Sequence, residues 1–324
     1  MLGSITFKVV WAALVAAAMA MPGSALAQNK VVKLVVAFPP GGPVDIVARL
    51  IADPMAKELG QSIIVENKPG GNTFIAAEAV ARSPADGSVI FLSSMSTMVL
   101  NPSLYATMPY DADKDFTPIS LVVSSPTVLV VHPSNPANDA TQFANSAKAA
   151  AQPVAVGSAG VGGTTHIPIE IFAQVTGAKL LHVPYKGAAP VLSDVMNNQV
   201  AAFFGDLPGL IGHVRGGKLK ALGVLAKERH PQLPDVKTMA EQGIANVESG
   251  NWYALYAPAK TPPDVIARLN KALHAALADP KAKEKLVEIG ASIIASTPEE
   301  VTRTQKFDAE RMGAIIRAKN IKVE

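Results

Sequence analysis

Alternation is what most narrows the folds open to this chain. Short apolar runs and helical repeats take turns along it, and neither pattern lasts long enough to build an all-α or all-β protein. Val31–Phe38 is a near-continuous apolar run and reads as a buried strand. From Pro43 the period changes, and Val44, Val47, Ile51 and Met55 fall on one helical face. Ile63–Glu66 predicts a second strand, Thr73–Ala81 a second helix and Val89–Ser93 a third strand. Strands alternating with helices imply a parallel sheet covered on both faces.

The rhythm breaks over Asn101–Pro118, which is proline-bearing and poor in periodic apolar residues. Ile119–Val131 follows, too long for one ordinary strand and interrupted by Ser124-Ser125-Pro126, so it is expected to cross between two domains. Alternation then resumes. Helices are expected near Ala140–Ala151, Thr165–Thr176, Ala189–Asn197 and Leu207–Arg215, with strands at Val154–Gly157, Leu180–Val183, Val200–Phe204 and Leu219–Leu225. Tyr253–Ala257 reads as one more strand. Helix-start signals follow at Thr261-Pro262-Pro263-Asp264, at Asp279-Pro280 and at the capping box Thr297-Pro298-Glu299-Glu300. These last helices are expected to return and pack on the first unit. A chain of 324 residues suits two domains.

Residues 1–27 read as a signal peptide. Lys8 and the amino terminus supply positive charge, Val9–Met21 is an apolar run too short to span a bilayer, and Ala25-Leu26-Ala27 is a cleavage signal that leaves Gln28 as the mature start. A periplasmic location is therefore expected. The chain has no cysteine, which excludes disulfides, thiolate metal sites, thiol nucleophiles and a lipidated cysteine. Aromatic residues make up only 5 % and the net charge of +3 is scattered, so nothing points to nucleic acid.

Two loops carry the chemistry. Phe38-Pro39-Pro40-Gly41-Gly42-Pro43-Val44-Asp45 joins the first strand to the first helix, at the edge where open α/β sheets bind ligands. Its glycines let backbone N–H groups approach an anion, and the helix start adds partial positive charge. No G-K-[ST] follows, so it is not a nucleoside-triphosphate loop. Asp45 either belongs to the binding loop or offsets the helix dipole. The second loop, Gly157-Ser158-Ala159-Gly160-Val161-Gly162-Gly163-Thr164-Thr165-His166, joins another strand to another helix with Thr165 as the expected cap. His166 reads as a capping or structural residue. No histidine pattern suits a metal and no nucleophile–base set emerges, so neither a cofactor nor an enzyme is expected. Neither loop contains arginine. Together they describe a clamp that would hold a small carboxylate by N–H and hydroxyl donors.

Several phrases then bring a family into view: Ala37-Phe38-Pro39-Pro40-Gly41-Gly42 with Asp45, Val65-Glu66-Asn67-Lys68-Pro69-Gly70, Asn101-Pro102-Ser103-Leu104-Tyr105, His182-Val183-Pro184-Tyr185-Lys186-Gly187 and Leu233-Pro234-Asp235-Val236. With these the chain resembles the Bug/TctC family, the extracytoplasmic solute-binding proteins of tripartite tricarboxylate transporters. The resemblance implies a periplasmic-binding-protein (Venus-flytrap) fold of two α/β lobes with a two-crossing hinge. One lobe would comprise residues 28–124 and 226–324, the other 125–225. It implies a monomer that captures a small carboxylate for membrane permease subunits, or that presents its loaded form to a membrane sensor. The ligand-binding set is expected to be Phe38, Pro40, Gly41, Gly42, Asp45, Ser158, Gly160, Gly163, Thr164, Thr165 and His166, joined by Thr73, Ser93, Tyr185 and Asp206. Departures from the family pattern are also visible. Phe74 and Ala76 add bulk expected near the cleft, Phe204-Gly205-Asp206 shifts an acidic residue by one position, and Pro54 lies inside the first helix, where it should kink it or remove a bond.

Overall fold

The computed structural model describes residues 31–318 together with Asn320 and Ile321; the signal peptide read at residues 1–27 lies outside the described residues. The first α/β unit runs β1 (Val32–Val36), α1 (Pro43–Leu59), β2 (Ile63–Asn67), α2 (Phe74–Ala81) and β3 (Val89–Ser94). A π-helical turn, Ser96–Leu100, leads into the short α3 (Asn101–Leu104) and then the long strand β4 (Phe116–Val131). The second unit comprises α4 (Ala140–Ala149), β5 (Val154–Ser158), α5 (Ile167–Thr176), β6 (Leu180–Pro184), α6 (Ala188–Met196), β7 (Ala202–Asp206), α7 (Leu207–Arg215) and β8 (Lys220–Val224). The chain returns through β9 (Gly250–Pro258), α8 (Pro263–Ala278), α9 (Pro280–Glu288), β10 (Ser292–Ile293) and α10 (Pro298–Ala318).

The parallel pairs expected from the alternation are present: β1 with β2 and β3, and β5 with β6 and β7. The sheet as a whole is mixed. Its strand order is β2-β1-β3-β9-β4-β7-β5-β6, and β9 runs antiparallel to both β3 and β4. The expected interruption at Ser124-Ser125-Pro126 does not occur, because β4 continues through it as one strand of 16 residues. Phe116–Pro126 pairs with β9, and Thr127–Val131 pairs with β7 and β8 on either side. The missing N–H of Pro126 falls where the strand changes partners. Hydrogen bonding resumes at once, with Thr127 N–H donating to Ser249 O. Register shifts near Pro118–Ser120 and Leu121–Val123 absorb the extra length. A Cβ at Gly250 would sit 2.9 Å from Ser125 O, so this close approach of two backbones needs glycine.

Apolar packing follows the pattern. The predicted face of α1, with Val44, Val47, Ile51 and Met55, is buried against β1 and against Leu269 and Leu273 of α8. α1 runs unbroken through Pro54 to a left-handed cap at Gly60. In the second unit Val128 and Val130 of β4 pack with Val191 of α6 and Leu210 of α7. The capping box at the start of α10 is reciprocal: Thr297 N–H donates to Glu300 Oε2 at 2.8 Å and Glu300 N–H to Thr297 Oγ1 at 3.3 Å. Between β8 and β9, Met239 N–H donates to Val224 O, while Gln242 accepts from Ala140 N–H and Thr141 Oγ, both of the second unit.

Two buried side-chain bonds tie α10 to β9. Trp252 Nε1–H donates to Asp308 Oδ2 and Tyr256 OH to Gln305 Oε1, each at 2.9 Å. Asp308→Ala strands the indole N–H in the core and is expected to cost about 1–3 kcal/mol, whereas Asp308→Asn keeps an acceptor and costs less. Urea denaturation of the two variants beside the parent measures both numbers.

Candidate ligand-binding cleft

The first loop is braced from within. Asp45 is buried, and its Oδ2 accepts from Gly41 N–H and Arg49 Nε, both at 2.9 Å. Its Oδ1 accepts from Arg49 Nη2 and Asn67 Nδ2, and Asn67 also donates to Phe38 O. Burial alone would raise the Asp45 carboxyl, but the bonds from Arg49, Gly41 and Asn67 outweigh it and hold the group below the ordinary carboxylate range. Asp45 therefore shapes the loop by consuming one of its donors. Ile46 N–H donates to Gly42 O, and the amides of Val44 and Asp45 lie at the start of α1, with no i−4 carbonyl inside the helix.

The second loop is braced in the same manner. Ala159 N–H donates to Thr165 Oγ1 at 2.8 Å and Gly162 N–H to His166 Nδ1 at 2.8 Å. Thr164 N–H reaches across to Ser96 Oγ at 3.1 Å. His166, rather than Thr165, occupies the cap position of α5, and its side chain makes no cap bond.

A third wall comes from Gly70, Gly71, Asn72 and Thr73, four successive residues with left-handed φ values of 116°, 54°, 48° and 76°. Such strain in Asn and especially Thr needs outside support. Asn101 supplies it: its Nδ2 donates to Asn72 O at 2.9 Å and lies 3.1 Å from Thr73 Oγ1, while Asn72 Nδ2 donates to Asn101 Oδ1 and to Tyr105 OH.

These loops meet at the carboxyl ends of β1, β3, β5 and β7, around two connected spaces. The inner one is a cavity of about 40 Å³, lined among others by Phe38, Gly42, Asn72, Ser96, Gly160, Gly163, Thr164, Thr165, Asp206 and Asn251. That is room for roughly three waters or one carboxylate group. The outer one is an open cleft of about 830 Å³ between Phe38, Thr73, Phe74 and Tyr105 on one side and Gly160, Tyr185, Lys186 and Gly187 on the other. Phe38, Asn72, Ala159 and Gly160 border both. The lobes touch across the cleft, since a Cβ at Gly187 would lie 2.7 Å from Pro39 Cδ and one at Gly209 would lie 3.3 Å from Pro43 Cδ.

Of the expected set, Phe38, Gly42, Thr73, Gly160, Gly163, Thr164, Thr165, Tyr185 and Asp206 line these spaces. Pro40, Gly41, Asp45, Ser93, Ser158 and His166 do not. Pro40 and Gly41 face solvent, Ser93 is fully buried, and Asp45, Ser158 and His166 spend their polar atoms bracing the loops. Tyr185 OH is already donated to Asp194 at 2.6 Å. Asn72, Ser96, Gly209 and Asn251 line the inner cavity without having been expected there.

The sequence profile described as "Tripartite tricarboxylate transporter family receptor" matches residues 47–321. The chain belongs to that family. It is 32 % identical over 294 residues to Protein BugT of Bordetella pertussis (strain Tohama I), covering 90 % of each chain. It superposes on the periplasmic binding protein BugD with a TM-score of 0.87 at 33 % identity, over 91 % of this chain and 99 % of the other. The R. palustris protein Rpa4515, solved with adipate, gives a TM-score of 0.87 at 32 % identity, over 90 % and 97 %. The tripartite transporter receptor family is one of solute-binding proteins rather than of enzymes. Among the described residues no helix is long and apolar enough to cross a membrane.

Two departures from the pattern of the transporter receptors have separate fates. Ala76 is fully buried in the lobe core, away from the cleft where its bulk was expected. Phe74 is half-buried, packs edge-on against Tyr105 and Tyr110 with centroids 5.0 and 5.8 Å away, and forms part of the outer wall.

Behind the second loop lies a cluster that residue spacing does not reveal. The His166 and His182 rings stack at 3.7 Å, Glu170 Oε1 is 3.3 Å from His166 Nε2, and His182 Nε2 is 2.6 Å from Ser158 Oγ. No group of three metal-ligating residues forms among the described residues. Burial, then the neighbouring His166, pushes the His182 imidazole down to about 4 from 6.5. The unfolded chain binds this proton below about pH 6.5 and the folded one only near pH 4, so stability present above 6.5 is lost as pH falls through that window. The loss is expected to be on the order of 1–3 kcal/mol. Denaturation midpoints measured from neutral to acid pH should therefore fall less steeply in His182→Gln than in the parent.

Proposed function

We propose that this protein captures a small carboxylate between its lobes in the periplasm and delivers it to the membrane permease subunits of a tripartite transporter. One observation carries the reading. The inner cavity spans both lobes and is lined by Asn72, Ser96, Thr164, Thr165 and Asn251, with no lysine, arginine or histidine in its wall among the described residues. Hydroxyls, amides and helix starts then do the work of a cation. The adipate held by Rpa4515 supports a carboxylate as the solute class. We place one carboxylate group of the solute in the inner cavity and the remainder against Phe74, Tyr105 and Tyr185 in the outer cleft, with Lys186 at its rim. No reaction is assigned to the site, and the protein acts as a monomer. Export would follow cleavage after Ala27.

The hinge belongs to the same proposal. Two crossings connect the lobes, one at Ser125–Thr127 in β4 and one just before Gly250. Residues 226–249 then move with the second lobe, to which Met239 and Gln242 are bonded. This differs from the boundary at residue 225 expected from sequence.

Mass spectrometry of solute released from natively purified protein tests the function directly, and release of a cation or a neutral sugar would refute it. If the inner cavity recognises charge, calorimetry should show the monomethyl ester of a dicarboxylate binding at least about tenfold more weakly than the acid, the loss of one charge-assisted hydrogen bond. Closure generates a second expectation. Gly209→Val places methyl groups against Pro43, so it should weaken solute binding about tenfold or more. The melting temperature of the solute-free protein should stay within a few degrees of the parent's. Small-angle scattering should show no contraction of this variant on adding solute.

A further inference from the structure

Asp206 is the acidic side chain in the wall of the inner cavity, and it is only 5 % exposed. Its Oδ2 accepts from Asn251 Nδ2 and from Tyr253 OH, both at 2.8 Å. Its Oδ1 is buried and has no hydrogen-bond partner. A buried carboxylate oxygen without a partner is costly, and among the described residues the cavity wall offers no cation to offset a charge. The polar groups around it are neutral: Asn251 and Tyr253 from β9, Ser96 from the turn after β3, and Thr164 and Thr165 from the loop before α5. Tyr253 is the titratable one among them, and its burial beside Asp206 raises it well above its ordinary value. Burial outweighs the Asn251 and Tyr253 bonds and raises the Asp206 carboxyl as well. A proton on Oδ1 removes the unpaired charge and turns the orphan acceptor into a free donor at the cavity wall.

We propose that Asp206 is a specificity-determining residue that meets the solute as a neutral carboxylic acid, its Oδ1–H donating to a carboxylate oxygen of the bound anion. This rests on the carboxylate reading of the cleft. An O–H···O⁻ bond of this kind is short, about 2.5–2.7 Å, and supplies a strong donor where no arginine or lysine is available. It selects for solutes that present an ionised carboxylate at this point and against those that present an ammonium. Binding then takes up a proton wherever the solute-free protein holds Asp206 ionised. Affinity should fall as pH rises, by up to about tenfold per unit.

Succinate is the probe, titrated calorimetrically into the purified protein between about pH 7 and about pH 9, above the second ionisation of succinate itself. Buffers of different ionisation enthalpy report the protons exchanged. The expected result is weaker binding at high pH, with uptake approaching one proton per succinate. Asp206→Asn keeps a donor on an isosteric side chain. It should bind succinate within about threefold of the parent at pH 7, with a flat pH profile and no proton uptake. A flat profile without uptake in the parent, together with succinate binding more than about tenfold weaker in Asp206→Asn, overturns the proposal. So does loss of succinate binding in Asp206→Asn together with tighter binding of aspartate than succinate by the parent, which would make Asp206 an ionised acceptor for ammonium. Failure of the parent to bind succinate or its longer homologue adipate at any pH is a different failure, because it removes the carboxylate reading itself.

Discussion

The architecture depends on a single strand serving both halves of the sheet. β4 pairs with β9 and β10 over its first part and with β7 and β8 over its last, and the exchange takes place across Ser125, Pro126 and Thr127. Each lobe owes a strand to the other, so neither has a sheet that is complete without the shared one. The exchange point is also polar. Ser125 Oγ accepts from Leu207 N–H, and Thr127 is bonded through its amide to Ser249 and through its carbonyl to Leu225. Backbone groups that a change of partner would otherwise leave bare are thus satisfied. The same arrangement turns the carboxyl ends of β1, β3, β5 and β7 toward one space, where loops from both lobes can act on one solute.

The proposed recognition of an anion without a cation rests on how those loops are stiffened. Asp45 takes up Gly41 N–H, His166 takes up Gly162 N–H, and Ser96 takes up Thr164 N–H. A glycine-rich loop with all its amides free would collapse onto any anion at an entropic cost. Here part of the donor set is used to hold the rest still. Asn101 does the equivalent for the wall at residues 70–73.

The local grammar of the fold was readable in the sequence. The buried face of α1, the parallel strand pairs, the capping box at Thr297 and the position of both loops follow from periodicity and turn chemistry alone. Partnership was not. An apolar run such as Tyr253–Ala257 announces a strand but not that it inserts antiparallel between β3 and β4. A serine-proline interruption reads as a break unless one knows that a change of neighbours happens there. The site shows the same division. Residues within the two loops could be named, yet Asn251 reaches the cavity only because β9 lies beside β4, and Ser96 only because a π-helical turn continues β3. The His166–His182 stack joins residues on different elements, and nothing in either segment signals the other. Ala76 and Phe74 sit in one short helix, and only the rotation of that helix decides which faces the core.

The strained wall at Gly70–Thr73 bears on how receptors of this kind diversify. Four consecutive left-handed residues cannot drift in length or sequence without undoing the support from Asn101, and at Gly70 a Cβ would also meet the Ile75 side chain at 2.9 Å. Phe74, which follows that wall and faces the open cleft, carries no such restriction, whereas the Tyr105 hydroxyl is tied to the wall by the bond from Asn72 Nδ2. Mutational change is channelled accordingly: the curve of the wall is inherited, and the exchangeable side chain that follows it is where a lineage can alter its diet of solutes.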